Sequence, residues 1–193
     1  MTILCLDLQA YLHVQWLRFQ HVSAYSLRKT SGNTNDNIVT VRDVATGAVR
    51  FLLKGHGNSV QQVAWSPDGL KLCSGSLDKT ARVRDMATGD LVHILDTPKS
   101  FLVGLAWSPD SACVAKMSEN NVIVWDAAAG VSIRVLRGGP IMSRWGMCVA
   151  WSLVGSMLAA AYDDHAVRVW DAVTGTVLQT FQGPGKLISV GPR

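Results

Sequence analysis

One short pattern recurs four times along the chain: an aromatic residue or an arginine, then Asp, then three residues, then Gly. The aspartates stand at positions 43, 85, 126 and 171, so consecutive copies are 42, 41 and 45 residues apart. A unit of this length cannot bury its hydrophobic face alone and is stabilised by stacking on its neighbours. The period therefore predicts an array of small repeated units.

Residues 54–96 form the clearest copy of the unit. Four β-prone segments lie at 59–65, 70–76, 80–85 and 91–95. The turn Ser66-Pro67-Asp68-Gly69 separates the first two, because Pro presets φ at its second position and Gly accepts a positive φ at its end. Four short strands with turns every eight to twelve residues predict one small antiparallel sheet per unit.

The other copies align with this one. The segment Leu105–Asp110 repeats the end of the first strand and its turn, 149–152 repeats it again, and 22–26 is a more degenerate copy of the first strand. An acid also stands six residues before each aromatic residue or arginine of the recurring pattern, namely Asp36, Asp78, Glu119 and Asp164.

Gly-His, then Ala-Trp-Ser-Pro-Asp-Gly, then the acid and Trp-Asp together resemble the WD-repeat β-propeller family (β-transducin-like repeats), over about residues 20–182. The resemblance implies an all-β fold, a β-propeller of about four blades, each a four-stranded antiparallel sheet with its first strand inside. The blades are expected at 21–53, 57–95, 99–137 and 142–182. Residues 1–20 are interpreted as the stub of a preceding blade, and 183–193 as the start of an incomplete one.

The number of repeats is low for this family, whose propellers most often have seven blades within a range of four to eight. An open array would leave the inner apolar faces of its end blades in water. We therefore expect a partial or open propeller, either truncated or completed by another copy of the chain as a homo-oligomer.

The resemblance also implies a hydrogen-bonded set of loop His, strand Ser or Thr, turn Asp and third-strand Trp. His56 and Asp78 share one blade with Ser74 or Ser76, but its Trp position is Arg84, which could still donate to the Ser. The blades with Trp125 and Trp170 lack Gly-His, so no blade has the whole set, and each buried group left unpaired should cost about 1–3 kcal/mol. The residues interpreted as structural parts of the repeat are His56, Ser76, Asp78, Asp36, Glu119, Asp164, Trp65, Trp107, Trp151, Trp125, Asp126, Trp170 and Asp171.

Composition argues against several classes of function. The 193 residues carry 18 Lys and Arg and 14 Asp and Glu, a net charge of +4 without a run of like charges, so neither a nucleic acid nor a membrane is expected as partner. The four cysteines have no CxxC spacing and the five histidines no ligand spacing, so no metal or cofactor is expected. Reduced cysteines and the absence of a signal-peptide pattern indicate an intracellular protein, cytoplasmic or nuclear.

Two segments resemble catalytic or ligand sites when read alone. Asp163-Asp164-His165 looks like an acid–base or metal cluster, but its phase places Asp164 in the turn before a third strand, where Asp bonds backbone amides. The loop 183–186 lacks the first Gly and the final Ser or Thr of a phosphate-binding loop. The sequence thus predicts a protein that is not an enzyme.

In the family that the repeats resemble, partners bind the loops leading into the first strands and the residues before the turn acids. The corresponding candidates here are Ser59, Leu77, Lys99, Phe101, Arg144, Trp145 and Asp163. Aromatic residues and Arg are enriched at interface hot spots, which favours Phe101 and the pair Arg144-Trp145. Packing of Phe101 and Trp145 against neighbouring blades is an equal alternative.

The leading hypothesis is a non-catalytic scaffold that binds a peptide or protein through one propeller face. A ubiquitin-ligase substrate receptor is an alternative, but the residues two positions after the Asp of each pattern, where many such receptors carry Arg or Lys, are Ala45, Ala87, Ala128 and Val173. A propeller enzyme would need converging acids or metal ligands. The last alternative is a truncated propeller fragment without an independent function.

Overall fold

The computed structural model describes residues 37–96, 104–138 and 146–183, together with the backbone of 15–16 and 22–26. Sixteen strands in these residues form four antiparallel four-stranded sheets, each with its strands in chain order. No helix occurs among them, and hence none long and apolar enough to cross a membrane. The expected fold class is confirmed: all-β, with the sheets of a partial β-propeller of about four blades.

The first two sheets lie in the N-terminal half of the chain. Sheet A consists of β1 (Gln15–Trp16), β2 (Val22–Ser26), β3 (Val39–Asp43) and β4 (Val49–Leu53). Sheet B consists of β5 (Val60–Trp65), β6 (Lys71–Ser76), β7 (Thr80–Asp85) and β8 (Leu91–Asp96).

The other two sheets follow in the C-terminal half. Sheet C consists of β9 (Leu105–Trp107), β10 (Cys113–Ser118), β11 (Asn121–Asp126) and β12 (Ser132–Arg137). Sheet D consists of β13 (Gly146–Trp151), β14 (Met157–Tyr162), β15 (Ala166–Asp171) and β16 (Val177–Gln182).

Sheet A differs from the sequence-based expectation in one respect. The segment 22–26, interpreted as a first strand, is the second strand, because Val22 pairs with Asp43 as Lys71 pairs with Asp85 in sheet B. Sheet A therefore begins at β1, before the boundary expected at residue 21. Residues 27–38 separate β2 from β3, whereas residues 77–79 separate β6 from β7. This longer connection shifts the earlier strands out of the period.

The recurring Asp and Gly form the same turn in all four sheets, between the third and fourth strands. The Gly N–H donates to the carbonyl of the Asp four residues earlier at 2.9 Å in each case. The glycines have φ between +70° and +85°, a region that side chains with a Cβ rarely adopt. Each Asp carboxylate accepts backbone N–H groups of the same turn, as Asp126 does from Ala128 and Ala129 at 2.8 Å.

The chain divides into two compact units, one holding sheets A and B and the other sheets C and D. Each unit has a hydrophobic core to which both of its sheets contribute. The first core contains Val39, Val41, Leu53, Val60, Val63, Trp65, Leu72 and Met86. The second contains Ala115, Met117, Val122, Val124, Leu136, Val149, Leu158, Ala160, Tyr162 and Trp170.

The turn glycines also allow neighbouring sheets to approach each other. A Cβ on Gly89 of sheet B would lie 2.8 Å from the ring of Phe51 on β4. A Cβ on Gly175 of sheet D would lie 3.0 Å from Arg134 on β12. Glycine at these positions thus permits both the positive φ of the turn and the close packing of the neighbouring sheet.

The fourth strand of sheet D differs from its counterparts in exposure. Leu53 and Leu136 occupy one register position on β4 and β12, and both are buried in the cores of their units. Phe181 occupies this position on β16 and is 50% exposed. In each unit the second sheet covers this position of the first sheet. In sheet D the same position holds an apolar side chain that is half exposed.

Candidate functional site

The loop between β4 and β5 is tied to sheet B through one buried histidine. His56 Nδ1 lies 2.8 Å from Asp78 Oδ2, and His56 Nε2 lies 2.9 Å from Ser74 Oγ. Asp78 also accepts the backbone N–H of Gly57 at 2.9 Å and the hydroxyl of Thr80 at 2.7 Å. We call His56, Ser74, Asp78 and Thr80 the His56 cluster.

The electrostatics of the His56 cluster fix its protonation. Burial lowers the pKa of His56 below 6.5, although the hydrogen bond to Asp78 opposes this shift. The pKa of Asp78 falls to about 2, because hydrogen bonds from Thr80, Gly57 and His56 outweigh its desolvation. A neutral His56 must then donate from Nδ1 to the carboxylate and accept the Ser74 hydroxyl at Nε2.

The structure decides two details of the polar set that the sequence left open. Ser76, which stood among the predicted repeat residues, donates to the carbonyl of Asn58 at 2.7 Å, so Ser74 is the hydroxyl that bonds His56. Arg84 does not donate to a serine: its guanidinium donates to the carbonyls of Lys54 and Gly89. The reason is length, since the Arg side chain reaches past the strand to the neighbouring backbone.

Sheet D holds the equivalent positions with a different set of side chains. Asp164 accepts two hydrogen bonds from Arg168, at 2.5 and 3.3 Å. The Arg168 guanidinium lies 4.6 Å from the ring centre of Tyr162, which in turn packs edge-on against Trp170 at 6.4 Å. We call Asp164, Arg168, Tyr162 and Trp170 the Tyr162 stack.

The Tyr162 stack depends on a glycine in the preceding loop. A Cβ on Gly138 would lie 1.7 Å from the carbonyl oxygen of Asn120 and 2.7 Å from the Tyr162 hydroxyl. Tyr162 is the last residue of its strand, as Ser76 is in sheet B. Burial raises the pKa of Tyr162, whose hydroxyl has no hydrogen-bond partner among the described residues. In sheet D, an aromatic ring thus occupies part of the space that polar groups occupy in sheet B.

Sheet C departs furthest from the repeat. Ser118 pairs directly with Asn121, so its turn has two residues, and Glu119 stands at the register position of Leu77 rather than of Asp78. Lys116, fully buried, occupies the position of Ser74. Sequence reasoning did not single out Lys116, although a charged residue inside an apolar strand was a visible signal. Trp125 is buried on β11 as Trp170 is on β15.

The tryptophans that end the first strands lie inside or beside the cores. Trp65 and Trp107 are buried, and the half-buried Trp151 packs against the core of its unit. The serines after Trp65 and Trp107 close the next turn, because Ser66 Oγ and Ser108 Oγ each donate to the Asp two residues later at 2.5 Å.

The structure brings two of the predicted partner-binding residues together. The Leu77 N–H donates to the Ser59 carbonyl at 3.0 Å, and both residues are half-buried at one end of sheet B. Asp163 is exposed in the corresponding turn of sheet D. The remaining candidates Lys99, Phe101, Arg144 and Trp145, together with the repeat residue Asp36, lie outside the described residues.

Within the described ranges, no group of three or more His, Cys, Asp or Glu side chains could hold a metal ion. An open cleft between sheets C and D is lined by Ser108, Pro109, Asp110, Cys113, Arg134, Trp151, Val154, Gly155, Ala172 and Val173. Burial raises the pKa of the Cys113 thiol there, which keeps it in the less reactive thiol form. Cys113 is therefore not an activated nucleophile.

Comparison with protein families agrees with the repeat. Residues 47–85 and 131–171 match the WD40 family, described as "WD domain, G-beta repeat". The matched segments run from β4 to β7 and from about β12 to β15, so each joins the fourth strand of one sheet to three strands of the next. WD40 repeats in general indicate non-catalytic scaffolds that bind protein partners.

Proposed function

Because the chain carries repeats of the WD40 family, we propose that it is a non-catalytic scaffold that binds a peptide or protein through one end of its sheets. The proposed surface consists of the loop 54–59 and the turn 77–79 in sheet B, and we call it the 54–59/77–79 surface.

The observation that carries the proposal is the way this loop is held. Four hydrogen bonds join the loop 54–59 to the end of β6 and its turn. They are His56–Asp78, Gly57–Asp78, Ser59–Leu77 and Asn58–Ser76. The side chain of Lys79 and the backbone at Gly57 and Asn58 remain exposed on this frame. A loop ordered before binding loses little conformational entropy when a partner arrives.

The test compares the two leucines that flank β6. Leu77→Glu places a charge on the proposed surface, whereas Leu70→Glu places the same charge at the opposite end of the same strand, where Leu70 is 58% exposed. We expect Leu77→Glu to reduce capture of the cellular partner at least tenfold and Leu70→Glu to leave it within about twofold. Phe101→Ala and Trp145→Ala extend the test to the other predicted anchors. Equal capture by all variants would remove this surface from consideration.

The alternative of a ubiquitin-ligase substrate receptor is not favoured by any contact. The positions at which many such receptors carry a cation hold Ala45, Ala87, Ala128 and Val173, all exposed in the Asp–Gly turns. We propose the cytoplasm or nucleus as the location, supported by the reduced thiols of Cys73, Cys113 and Cys148.

We also propose that a second copy of the chain covers the face of sheet D that carries Phe181. The support is the equivalence of Phe181 with Leu53 and Leu136, which are buried wherever another sheet of the same fold packs on them. Light scattering after size exclusion should show a dimer that Phe181→Glu dissociates, while the exposed control Val154→Glu does not. A wild-type monomer would contradict this proposal and leave the scaffold function intact.

A further inference from the structure

Arg82 in sheet B lacks the acid that its counterpart Arg168 in sheet D has. Arg82 faces Ser74 across the strands, and Arg168 faces Ala160 in the same register. Arg168 binds Asp164, but the equivalent Asp78 is occupied by His56, Gly57 and Thr80. The His56 cluster thus takes the carboxylate that Arg82 would otherwise use.

Arg82 is left without a hydrogen-bond partner in the described part of the chain. Its Nε is buried and unpaired, and no carboxylate oxygen of a described residue lies within the 4.0 Å of an ion pair. Burying part of a guanidinium without an anion is unfavourable, because the lost hydration is not replaced.

Arg84 adds a second charge beside the first. It stands where Trp125 and Trp170 stand in the other sheets, is only 9% exposed, and donates to carbonyl oxygens alone. The backbone carbonyl of Lys54 accepts one of these hydrogen bonds, and Asp90 is the acid that interacts electrostatically with Arg84. The two like charges of Arg82 and Arg84 interact unfavourably, and neither forms an ion pair with a carboxylate of the described residues.

Both guanidinium groups converge on one glycine. A Cβ on Gly55 would lie 2.6 Å from Nη1 of Arg82 and 3.6 Å from Nη2 of Arg84. Gly55 has a φ of +122°, which glycine adopts without strain. The missing side chain leaves the two groups beside an exposed stretch of loop on the 54–59/77–79 surface.

We propose that Arg82 and Arg84, beside Gly55, bind an oxyanionic group, a carboxylate or a phosphate, carried by the protein partner. The inference rests on the proposed scaffold function and specifies the chemistry of its partner. Two planar guanidinium groups offer paired N–H donors that match either oxyanion, and such charged hydrogen bonds are about twice as strong as neutral ones. In sheet D, Asp164 of the same chain supplies the oxyanion that binds Arg168.

The test uses the full chain and three probes at constant ionic strength: inorganic phosphate, a Gly-Ser peptide with one phosphoserine, and the same peptide with Glu at that position. Titration calorimetry should show binding that Arg82→Gln weakens about tenfold or more, as expected for loss of hydrogen bonds to a charged group. Arg84→Trp, which installs the residue of the other sheets and is checked by circular dichroism, should weaken it similarly. The control Arg50→Gln removes the same charge from an exposed position and should stay within about twofold.

The outcomes separate the site from the function. Tighter binding of the phosphopeptide assigns a phosphate, and equal binding of both peptides assigns a carboxylate. Equal affinities of wild type and Arg82→Gln, or an equal loss in Arg50→Gln, would overturn the site. Partner capture that Leu77→Glu abolishes but Arg82→Gln preserves would refute the assignment to the partner while leaving the scaffold function in place.

Discussion

Sheets B and D each contribute three strands to one of the two segments that match the same repeat, yet they secure the end of the second strand differently. In sheet B a buried histidine joins the preceding loop to Ser74 and Asp78 through hydrogen bonds. In sheet D a tyrosine fills the space beside Gly138, and the turn acid binds an arginine on its own sheet. The backbone turns and strand registers of the two sheets are nevertheless alike.

The difference shows that the turn acid has hydrogen-bond partners in both sheets, although the residues that supply them are not the same. Asp78 is satisfied by the loop, and Asp164 by Arg168 of the third strand. The exchange changes what the surface can bind, because the internal partner neutralises Arg168 while Arg82 and Arg84 keep their charges free of carboxylates. In sheet D, where Asp164 binds Arg168, the arginine at this position is paired within the chain and is not offered to the proposed oxyanion.

The largest effect is expected from removing the ring at the base of the Tyr162 stack. Trp170 is fully buried, so Trp170→Ala should lower the free energy of unfolding by about 3–5 kcal/mol through lost transfer energy and a cavity. Arg84→Ala, at the same position of sheet B, should cost less because it also removes a buried charge. Urea denaturation measures the free energy of unfolding of both variants. Equal losses would show that Trp170 and Arg84 contribute equally to the stability of their sheets.

Gly138→Ala should destabilise nearly as much, by about 3 kcal/mol, because its Cβ would meet the Asn120 carbonyl and the Tyr162 ring. Gly47→Ala is the control, since a Cβ added there would meet no atom within 4 Å and its φ of +70° alone should cost about 1–2 kcal/mol. Chemical denaturation of the two variants compares the clash with the backbone strain. A smaller cost for Gly138→Ala would mean that the Asn120 backbone and the Tyr162 side chain both move aside easily.

His56→Ala should lower the free energy of unfolding by about 2 kcal/mol, because it leaves Ser74 and one oxygen of Asp78 without their shared partner. His165→Asn is the matched control in sheet D: His165 is exposed with a φ of +62°, which Asn tolerates. Its effect on thermal unfolding should be negligible. A loss as large as that of His56→Ala would contradict the special role of His56.

Arg84→Trp should convert sheet B towards sheet D and raise the free energy of unfolding by about 1 kcal/mol, because it replaces a buried charge with an apolar ring. The indole N–H of Trp170 has no partner among the described residues, so the gain should come from packing rather than from a hydrogen bond. Arg50→Trp, an exposed control, should be neutral. Destabilisation by Arg84→Trp would show that the ring does not fit between sheets A and B.

The smallest effect is a dependence of stability on pH that belongs to sheet B. The folded pKa of His56 lies below 6.5, so the unfolded chain takes up this proton more readily, and stability is full above pH 6.5 and falls as the pH drops. The Asp78 contribution is present above pH 3.8 and is lost as the pH falls towards its folded pKa of about 2. Denaturation between pH 8 and 5 should show a slope that His56→Gln removes and Asp163→Asn preserves. An unchanged slope in His56→Gln would assign it to other groups.

Local features of this fold were predictable, and long-range contacts of side chains were not. The spacing of Asp and Gly predicts the four turns because each hydrogen bond in them spans four residues. The same spacing misplaces 22–26, since a longer connection before β3 breaks the period. Ser74 and Ser76 lie on one face of β6, so the alternation of the strand does not distinguish them. Their different partners depend on where along the strand His56 and the Asn58 carbonyl lie.

The amino-acid sequence by itself determined the repeated unit, its Asp–Gly turns and the four-stranded sheets, because these follow from local backbone preferences and the alternation of apolar residues. Tertiary structure decided which groups satisfy each turn acid, and hence that Arg168 has an internal anion whereas Arg82 and Arg84 have none. That outcome depends on distances of a few ångströms between strands and loops, which spacing along the chain does not specify.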